Sequence, residues 1–382
     1  MKHCIVCQGA FYHNALLHYK DMPASAQNIP TKEELSDEQG IDLELHQCKM
    51  CGLIQFNCAP VDYFKDVIRA GGFTSTMSDL RKQQYADFIR KFDLEGKLFL
   101  EAGCGQGEFL QMLQEFPVKA MGVEHNPALV QAANEKGLHV IQGFIGSKDD
   151  VLPEGPFDAF LSFNYLEHQP DPNGMMQGIY HNLTETGVGI VTVPSFEYIV
   201  AHDSFYEFIR DHIAYYTEDT LRFLLEKNGF EVVECQMINR DTISAYVKKR
   251  QKTNLFNLNE NFSRLKANID QYVDSIVSGG GKVAVWGAGH QGFTILSTAG
   301  LGDKIEYIID SAPFKQGKYS PATHVPIVPL SHYFSNKVDA IIIVAPGYTD
   351  EIFDIILKNC DNDIKVAVLR SKELEILKGG CI

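Results

Sequence analysis

The segment from Leu98 to Phe109 runs from an apolar strand into a glycine-rich turn and then into the start of a helix. An acid, Glu101, lies inside the apolar run, and Gly103, Gly105 and Gly107 alternate strictly after it. A strand that breaks into glycines before a helix presents bare backbone N–H groups to a ligand. In the dinucleotide fingerprint, by contrast, two residues separate the last two glycines. We therefore expect a bound cofactor here, with a purely structural glycine turn as the alternative.

The composition is that of an ordinary soluble protein. The chain has 382 residues, which suggests two or three domains, and 45% of them are hydrophobic. Its formal net charge of −15 argues against nucleic acid as the main partner, because phosphate binding needs clustered lysines and arginines. No apolar run approaches the ~20 residues of a membrane helix, and no signal peptide is recognisable. We expect a cytoplasmic protein, in which the nine cysteines are metal ligands or free thiols.

Two Cys-x-x-Cys pairs near the start of the chain predict a metal site. The four cysteines are Cys4, Cys7, Cys48 and Cys51. The long gap between the pairs requires a segment that loops out and returns, and the Pro, Ser, Asp and Glu content of residues 22–40 fits that loop. Four cysteines without an open position are typical of a structural Zn²⁺ site. We therefore predict a zinc module over residues 1–60. The alternative is two unrelated pairs, and the substitute ligands are Cys58, His46 and His3.

Residues 61–247 alternate between helical and strand patterns. Apolar residues at helical spacing cover residues 77–92, and a strand over residues 120–125 follows the glycine segment. Further strands are predicted over residues 138–141, 157–163, 188–193 and 230–233. The pattern predicts a doubly wound parallel sheet, on which ligands bind at the carboxyl ends of the strands. Glu124, an acid at the end of the second strand, is then the predicted ligand of the ribose hydroxyls, with a solvated charge as the alternative.

Candidate catalytic residues follow the later strands of this sheet. His212 follows an acid, Asp211, and comes shortly before Thr217, which is predicted to begin a helix. A loop histidine is suited to removing a proton from a carbon acid or a hydroxyl, so we predict His212 as the general base. The alternative is a histidine that only caps or packs. His168 is the second candidate, as a base or as a residue that orients the substrate.

Residues 248–382 form a second nucleotide-type pattern. A basic hinge leads into an amphipathic helix over residues 256–276, and residues 282–292 then run from a strand into Gly-x-Gly-x-x-Gly. A strand that ends in Asp310 follows. Considered alone, residues 283–310 could bind NAD. Lys315 near the expected ligand edge could contact a diphosphate, although a solvated lysine is an equal alternative, and Cys381 has no evident partner.

Taken together, these motifs resemble a known family. The segment 98–109 resembles the first motif of class I S-adenosylmethionine-dependent methyltransferases. The two Cys-x-x-Cys pairs, this motif and the second glycine fingerprint occur in the same order in the sugar C-methyltransferases of deoxysugar pathways, and the chain resembles them over essentially its whole length. The resemblance implies an α/β class I methyltransferase core over residues 61–247, a small zinc module before it, and a C-terminal Rossmann-like domain over residues 248–382 that helps to bind the substrate without being a dehydrogenase.

The resemblance also implies a two-sided site, in which S-adenosylmethionine lies over the first glycine motif and a nucleotide-linked 4-keto sugar is the acceptor. A loop histidine then removes the proton at C3 of the sugar, and Asp211 with His212 matches the family's acid-histidine pair, as Asn164 with His168 matches its asparagine and histidine. The implied cofactor-binding residues are Glu101, Gly103, Cys104, Gly105, Gly107, Glu124 and His125. The implied substrate-binding residues are Asn164, Tyr216 and Lys315.

Two departures from the family pattern leave the methylated atom open. Ile209 stands where a tyrosine is expected three positions before the loop histidine, and residues 68–73 offer no tyrosine after the zinc module. C-methylation with His212 as base, aided by Asp211, is the predicted activity, and O-methylation of a sugar hydroxyl is the alternative. The other classes are an NAD-dependent oxidoreductase and a non-catalytic zinc protein that binds S-adenosylmethionine as a sensor. The sugar, the nucleotide and the oligomeric state are not determined, although a monomer is favoured.

Overall fold

A computed structural model describes residues 3–66 and 75–379, and the chain divides into two compact units, Met1–Lys252 and Thr253–Ile382. The strands of the first unit are β1 (Leu17–Met22), β2 (Ile41–Gln47), β3 (Ile54–Phe56), β4 (Leu98–Ala102), β5 (Lys119–Glu124), β6 (Val140–Gln142), β7 (Phe157–Phe163), β8 (Leu183–Pro194), β9 (Ala214–Tyr215), β10 (Phe230–Ile238) and β11 (Thr242–Lys249). Its helices are α1 (Ser75–Phe92), α2 (Glu108–Leu113), α3 (Pro127–Glu135), α4 (Pro172–His181), α5 (Phe196–Ala201) and α6 (Glu218–Lys227).

The central sheet of the first unit has seven strands in the order β10-β11-β8-β7-β4-β5-β6. The five strands from β8 to β6 are parallel, which confirms the α/β doubly wound class. At one edge β11 pairs antiparallel with β8, and β10 pairs antiparallel with β11. The prediction of an all-parallel sheet was wrong there, because only a short turn through Asn239, at a φ of 54°, joins β10 to β11. So short a connection allows a hairpin but not a parallel crossover.

Large apolar side chains hold this sheet in place. Phe99, Leu100, Phe160 and Leu161 on β4 and β7 are all fully buried. Strands that are covered on both faces have to be apolar throughout, and each such side chain contributes about 1.5–3 kcal/mol on burial. The carboxyl ends of β4, β5 and β7 are therefore held in fixed positions, and these ends position the residues that directly follow them.

The two cysteine pairs lie beside a second, four-stranded sheet, with the order β1-β2-β3-β9. Its fourth strand comes from far along the chain: Ile54 on β3 pairs with Tyr215 on β9, and Phe56 donates its N–H to the carbonyl of Ile213. The predicted loop of residues 22–40 lies between β1 and β2. The N-terminal region is thus built into the first compact unit, and its sheet holds the residues that directly follow His212.

The second unit contains a six-stranded sheet. Its strands are β12 (Val283–Trp286), β13 (Ile308–Ile309), β14 (Ile327–Val328), β15 (Ala340–Ile343), β16 (Lys365–Leu369) and β17 (Leu374–Lys378), and its helices are α7 (Phe256–Val277), α8 (His290–Ala299) and α9 (Thr349–Asn359). The strand order is β14-β13-β12-β15-β16-β17, and only β17 is antiparallel to its neighbour. This is the Rossmann-like arrangement that the glycine fingerprint predicts.

No helix in the described part of the chain combines the length and the apolar character that a membrane crossing requires.

Candidate active site

The glycine segment forms a tight turn at the carboxyl end of β4. Gly103, Gly105 and Gly107 have φ angles of 70°, 58° and 76°, a left-handed conformation that favours glycine. A Cβ atom on Gly103 would lie 2.9 Å from the ring of Tyr165, and one on Gly107 would lie 2.3 Å from Leu138. Both the backbone conformation and the close packing therefore explain the alternating glycines.

Glu124 holds this turn from the end of β5. Its Oε2 accepts the N–H of Gly105 at 2.9 Å, and its Oε1 accepts the N–H of Asn126 at 2.9 Å. Only 6% of the residue is exposed, yet it lines the cavity described next. A carboxylate held in this way by backbone donors is pre-oriented toward a ligand in the cavity, as the ribose interpretation requires.

A cavity of about 530 Å³ opens between the ends of β4, β5 and β7 and the segment before β9. Its lining residues are Ala26, Gln27, Lys65, Gly103, Gly105, Gln106, Glu108, Glu124, Leu129, Asn164, Tyr165, Glu167, His168, Pro194, Tyr206, Glu207, Ile209, Asp211 and His212. The lining combines the glycine turn with both candidate histidines. A larger groove between α1 and the β10–β11 hairpin contains none of the predicted site residues.

Several predicted cofactor residues lie away from this cavity wall. Cys104 is fully buried in an apolar cluster with Leu110 and Ala133, and Glu101 is fully buried at the end of β4. Cys104 therefore remains a predicted cofactor-binding residue through its backbone, since its side chain packs in this cluster. His125 lines a much smaller neighbouring pocket, and its Nδ1 forms a 2.7 Å hydrogen bond with Oδ1 of Asp66.

The two candidate histidines meet at the cavity wall. Their ring centroids are 4.7 Å apart in an edge-to-face arrangement. Nδ1 of His168 lies 2.7 Å from the backbone carbonyl oxygen of Asp211. Because a carbonyl only accepts hydrogen bonds, Nδ1 carries the proton and Nε2 carries the lone pair.

Burial keeps both imidazoles neutral. It lowers the pKa of His212 from 6.5 to about 3, and His168 nearby adds to this effect. The pKa of His168 is also lowered by burial, although the contacts with Asp211 oppose the shift. Each imidazole can therefore accept a proton at neutral pH, and the resulting imidazolium requires a nearby negative charge.

The Asp211 carboxylate faces the N-terminal region. Its Oδ1 accepts the hydroxyl of Tyr63 at 2.6 Å, and its Oδ2 accepts the N–H of Ala26 at 3.1 Å. Among the hydrogen bonds of residues 3–66 and 75–379, none joins this carboxylate to His212. The prediction that Asp211 assists His212 therefore needs correction. Both carboxylate oxygens of Asp211 accept hydrogen bonds from the 26–63 region, and the backbone carbonyl of Asp211 orients His168.

Tyr63 is a site residue that sequence reasoning missed. Besides donating to Asp211, its hydroxyl accepts the N–H groups of Ala26 and Gln27 at 3.0 and 3.1 Å. Neighbouring Arg210 donates to the carbonyls of Ala24, Ala59 and Pro60 at 2.9 to 3.1 Å.

The region where the family's tyrosine was sought, residues 68–73, lies outside the described residues. No local motif marks Tyr63, since its partner is far away in the sequence.

The three predicted substrate-binding residues lie in different environments. Asn164 lines the cavity with a φ of 47°, and its Oδ1 accepts the hydroxyl of Thr192 at 2.9 Å. Tyr216 is fully buried in the apolar cluster that contains Cys4 and Cys48, so the prediction that it contacts the substrate is wrong for this structure. Ile209 contributes an apolar side chain to the cavity wall. Lys315 belongs to the second unit.

The four predicted cysteines converge on one point. Sγ of Cys4 lies 3.5 Å from that of Cys51, and Sγ of Cys7 lies 3.4 Å from that of Cys48, with all four sulfurs within 4.8 Å of one another. The edge of a tetrahedron with Zn–S bonds of about 2.3 Å is about 3.8 Å, so the cluster has the size that zinc requires. The N–H groups of Val6, Gly9 and Met50 point at three of the sulfurs. Cys381 lies outside the described residues.

The acid in the second glycine fingerprint is already engaged by protein groups. The Asp310 carboxylate accepts the N–H groups of Ala288 and Ala312, both at 2.9 Å, and forms a 3.0 Å ion pair with Lys315. Only 9% of Asp310 is exposed. Glu124 likewise accepts two backbone N–H groups, but the Asp310 carboxylate is in addition neutralised by the Lys315 ammonium, and this ion pair argues against NAD at this fingerprint. Lys315, predicted to contact a diphosphate, uses its ammonium group in this ion pair.

Family models and relatives indicate a methyltransferase. Residues 77–235 match a methyltransferase domain, and residues 242–367 match a C-methyltransferase C-terminal domain. The C-methyltransferase NovU of Streptomyces niveus is 23% identical over 289 residues, which are 68% of this chain and 69% of that protein. A ubiquinone biosynthesis O-methyltransferase of Xylella fastidiosa is 31% identical over 107 residues, which are 26% of this chain and 44% of that protein.

Solved structures show a partial likeness. A SAM-dependent methyltransferase from Aquifex aeolicus matches 47% of this chain and 100% of its own, with 16% identity and a TM-score of 0.35. Another from Clostridium acetobutylicum matches 49% of this chain and 96% of its own, with 16% identity and a TM-score of 0.38.

Proposed function

Since this chain belongs to the S-adenosylmethionine-dependent C-methyltransferases, we propose that it methylates a carbon next to a keto group in the sugar of a nucleotide-linked deoxysugar. The observation that carries the proposal is the shared cavity, which is lined by the glycine turn and Glu124 as well as by His168 and His212. This arrangement provides one wall for a cofactor and another for an acceptor that loses a proton.

The residues of the turn fit S-adenosylmethionine. The left-handed glycines expose the backbone at Gly103 and Gly105, and the Glu124 carboxylate is oriented toward the cavity, where it can accept the ribose hydroxyls. When bound, S-adenosylmethionine supplies an activated methyl group. The protein's own contribution is to position the acceptor carbon in line with that group and to exclude water, and positioning of this kind accounts for much of a rate enhancement.

His212 removes the proton from the carbon beside the keto group in this proposal. It is neutral at physiological pH because burial lowers its pKa to about 3, so a ring nitrogen carries a free lone pair. Burial also disfavours the imidazolium that forms, so transfer depends on the negative charge that develops on the acceptor beside it. His168, held by the Asp211 carbonyl, presents Nε2 to the same space and positions the acceptor.

The charge of the cavity wall indicates which part of the acceptor binds inside the cavity. Among the described lining residues there are five carboxylates, from Glu108, Glu124, Glu167, Glu207 and Asp211, and one ammonium group, from Lys65. Such a wall repels a diphosphate and accepts a neutral sugar ring beside a cationic sulfonium. We therefore place the sugar in the cavity and the diphosphate outside the described wall.

The experiment combines product analysis with a base variant. Incubation of a panel of keto-deoxysugar nucleotides with a labelled methyl donor in deuterated water, followed by mass spectrometry, locates the methyl group. We expect the label on carbon, and solvent exchange at that carbon in wild type. His212→Ala should abolish both while leaving S-adenosylmethionine binding unchanged, and His202→Ala, on an exposed histidine, is the control.

Retained turnover in His212→Ala would exclude the base assignment. O-methylation is the second candidate, because Ile209 brings an apolar side chain to the wall where the family's tyrosine was expected. It predicts a label on oxygen with no solvent exchange at carbon.

We also propose that Zn²⁺ binds Cys4, Cys7, Cys48 and Cys51 in a structural role. Support comes from the sulfur separations and from the three N–H groups aimed at the sulfurs. Metal analysis of purified protein tests this proposal, and less than about half an equivalent of zinc per chain would contradict a fully formed four-ligand site.

A further inference from the structure

We propose that Glu167, His168 and His212 form a binding site for a divalent transition-metal ion inside the acceptor cavity, separate from the cysteine cluster. One ligating atom from each side chain lies within 4.8 Å of the other two. All three residues line the same cavity, so an ion can enter from solvent. Two imidazoles with one carboxylate are a ligand set that suits Zn²⁺, Co²⁺, Ni²⁺ and Fe²⁺.

The orientation of His168 is that of a metal ligand. Its Nδ1 donates to the backbone carbonyl of Asp211 at 2.7 Å, which leaves the Nε2 lone pair facing the cluster. Nε2 lies 4.0 Å from Oε1 of Glu167. A ligating histidine usually donates its other ring N–H to a carbonyl or carboxylate in this manner, because that bond fixes the tautomer and the ring orientation.

His212 supplies the third ligand from a segment far from Glu167 and His168 in the sequence. Its ring lies edge-to-face with that of His168, at a centroid distance of 4.7 Å, and it is partly exposed at the cavity wall. An ion with bonds of about 2.1 Å holds its ligand atoms roughly 3–4 Å apart, so the three groups need to approach by about 1 Å. Rotation of the partly exposed His212 side chain can supply that movement without a backbone change.

The consequence is competition between a metal ion and the acceptor. A metal on His212 occupies the lone pair that would receive the acceptor's proton, and a metal on Nε2 of His168 occupies the atom that positions the acceptor. Zn²⁺ in excess of the cysteine site should therefore inhibit competitively with the sugar nucleotide. This inhibition rests on the proposed function, whereas metal binding itself does not.

The binding experiment is a Co²⁺ titration of the full-length protein with its cysteine site already loaded with zinc. We expect visible d–d absorption without the thiolate charge-transfer bands that cobalt at the cysteines would give. His212→Asn and Glu167→Gln should each weaken Co²⁺ binding by about tenfold or more, since even outer partners of a metal site are worth that much. His202→Asn is the matched control because His202 is exposed and does not line the cavity.

Two results would overturn the site. They are the absence of cobalt absorption beyond the cysteine site, and unchanged affinity in both His212→Asn and Glu167→Gln. Using two variants protects the test against misfolding of one. Cobalt binding without zinc inhibition in an active enzyme would overturn the competition. A protein that binds cobalt at the site but methylates no sugar nucleotide would instead count against the proposed function.

Discussion

The hydroxyl of Tyr63 donates to Oδ1 of Asp211 at 2.6 Å, across 148 positions of sequence. The same hydroxyl accepts two backbone N–H groups from residues 26 and 27, which line the cavity. Asp211 in turn holds His168 through its backbone carbonyl. One phenol thus links a wall of the cavity to the segment that carries His212.

Tyr63→Phe is expected to weaken this link. The variant loses a hydrogen bond to a buried carboxylate, worth about 1.5–3 kcal/mol, and should unfold at a correspondingly lower denaturant concentration. Acceptor kcat/KM should fall while S-adenosylmethionine affinity stays unchanged, because the glycine turn is untouched. Urea unfolding and calorimetry of cofactor binding measure the two effects. Tyr12→Phe, on an exposed tyrosine, is the control, and equal behaviour of the two variants would contradict the role of Tyr63.

The pH dependence of stability should report on His212. Its pKa is lowered in the folded state from 6.5 to about 3, so between these values the unfolded chain binds more protons. Stability is then fully present above about pH 6.5 and declines as the pH falls toward 3, with a slope of at most about 1.4 kcal/mol per pH unit from this group. Urea unfolding of His212→Asn across this range should show a flatter profile than wild type. An identical profile would contradict the burial of a neutral imidazole.

Loss of the proposed zinc site should disturb the segment that carries His212. β3, which follows Cys51, pairs with β9, which follows His212, so loosening the cluster frees the backbone next to the base. Cys48→Ser should increase amide exchange over residues 211–216 and reduce turnover, as measured by hydrogen-exchange mass spectrometry and methyl transfer. Cys360→Ser, in the second unit, is the control. Unchanged exchange over residues 211–216 would show that the two regions are independent.

Glu124→Gln should weaken the cofactor half of the site. The substitution removes the charge that is predicted to accept the ribose hydroxyls, and each hydrogen bond to a charged group is worth about 1.5–3 kcal/mol. We expect the Kd of S-adenosylmethionine to rise by about tenfold or more, measured by calorimetry, with acceptor binding unaffected. Glu135→Gln, on an exposed residue at the end of α3, controls for net charge. A Kd equal to that of the control would exclude Glu124 as a ribose ligand.

Much of the fold could be predicted from local sequence patterns. The helix predicted over residues 77–92 is α1, and the strand predicted over residues 157–163 is β7. The antiparallel strands β11 and β17 were not predicted, because edge pairing depends on which neighbour is available and not on a distinct local pattern. Cytoplasmic location, the monomeric state and the three domain boundaries remain predictions.

Local sequence patterns were enough to predict the cofactor half of the site, because alternating glycines and a strand-end acid are local requirements of backbone conformation and hydrogen bonding. The sequence also identified the four cysteines, because the two members of each Cys-x-x-Cys pair lie close together in the chain. The hydrogen bond between Tyr63 and Asp211, the burial of Tyr216 and the proximity of Glu167 to the two histidines became visible in the folded chain. These relationships join segments far apart in the chain, and they are set by the pairing of β3 with β9 and the packing around the cavity, which no short pattern encodes.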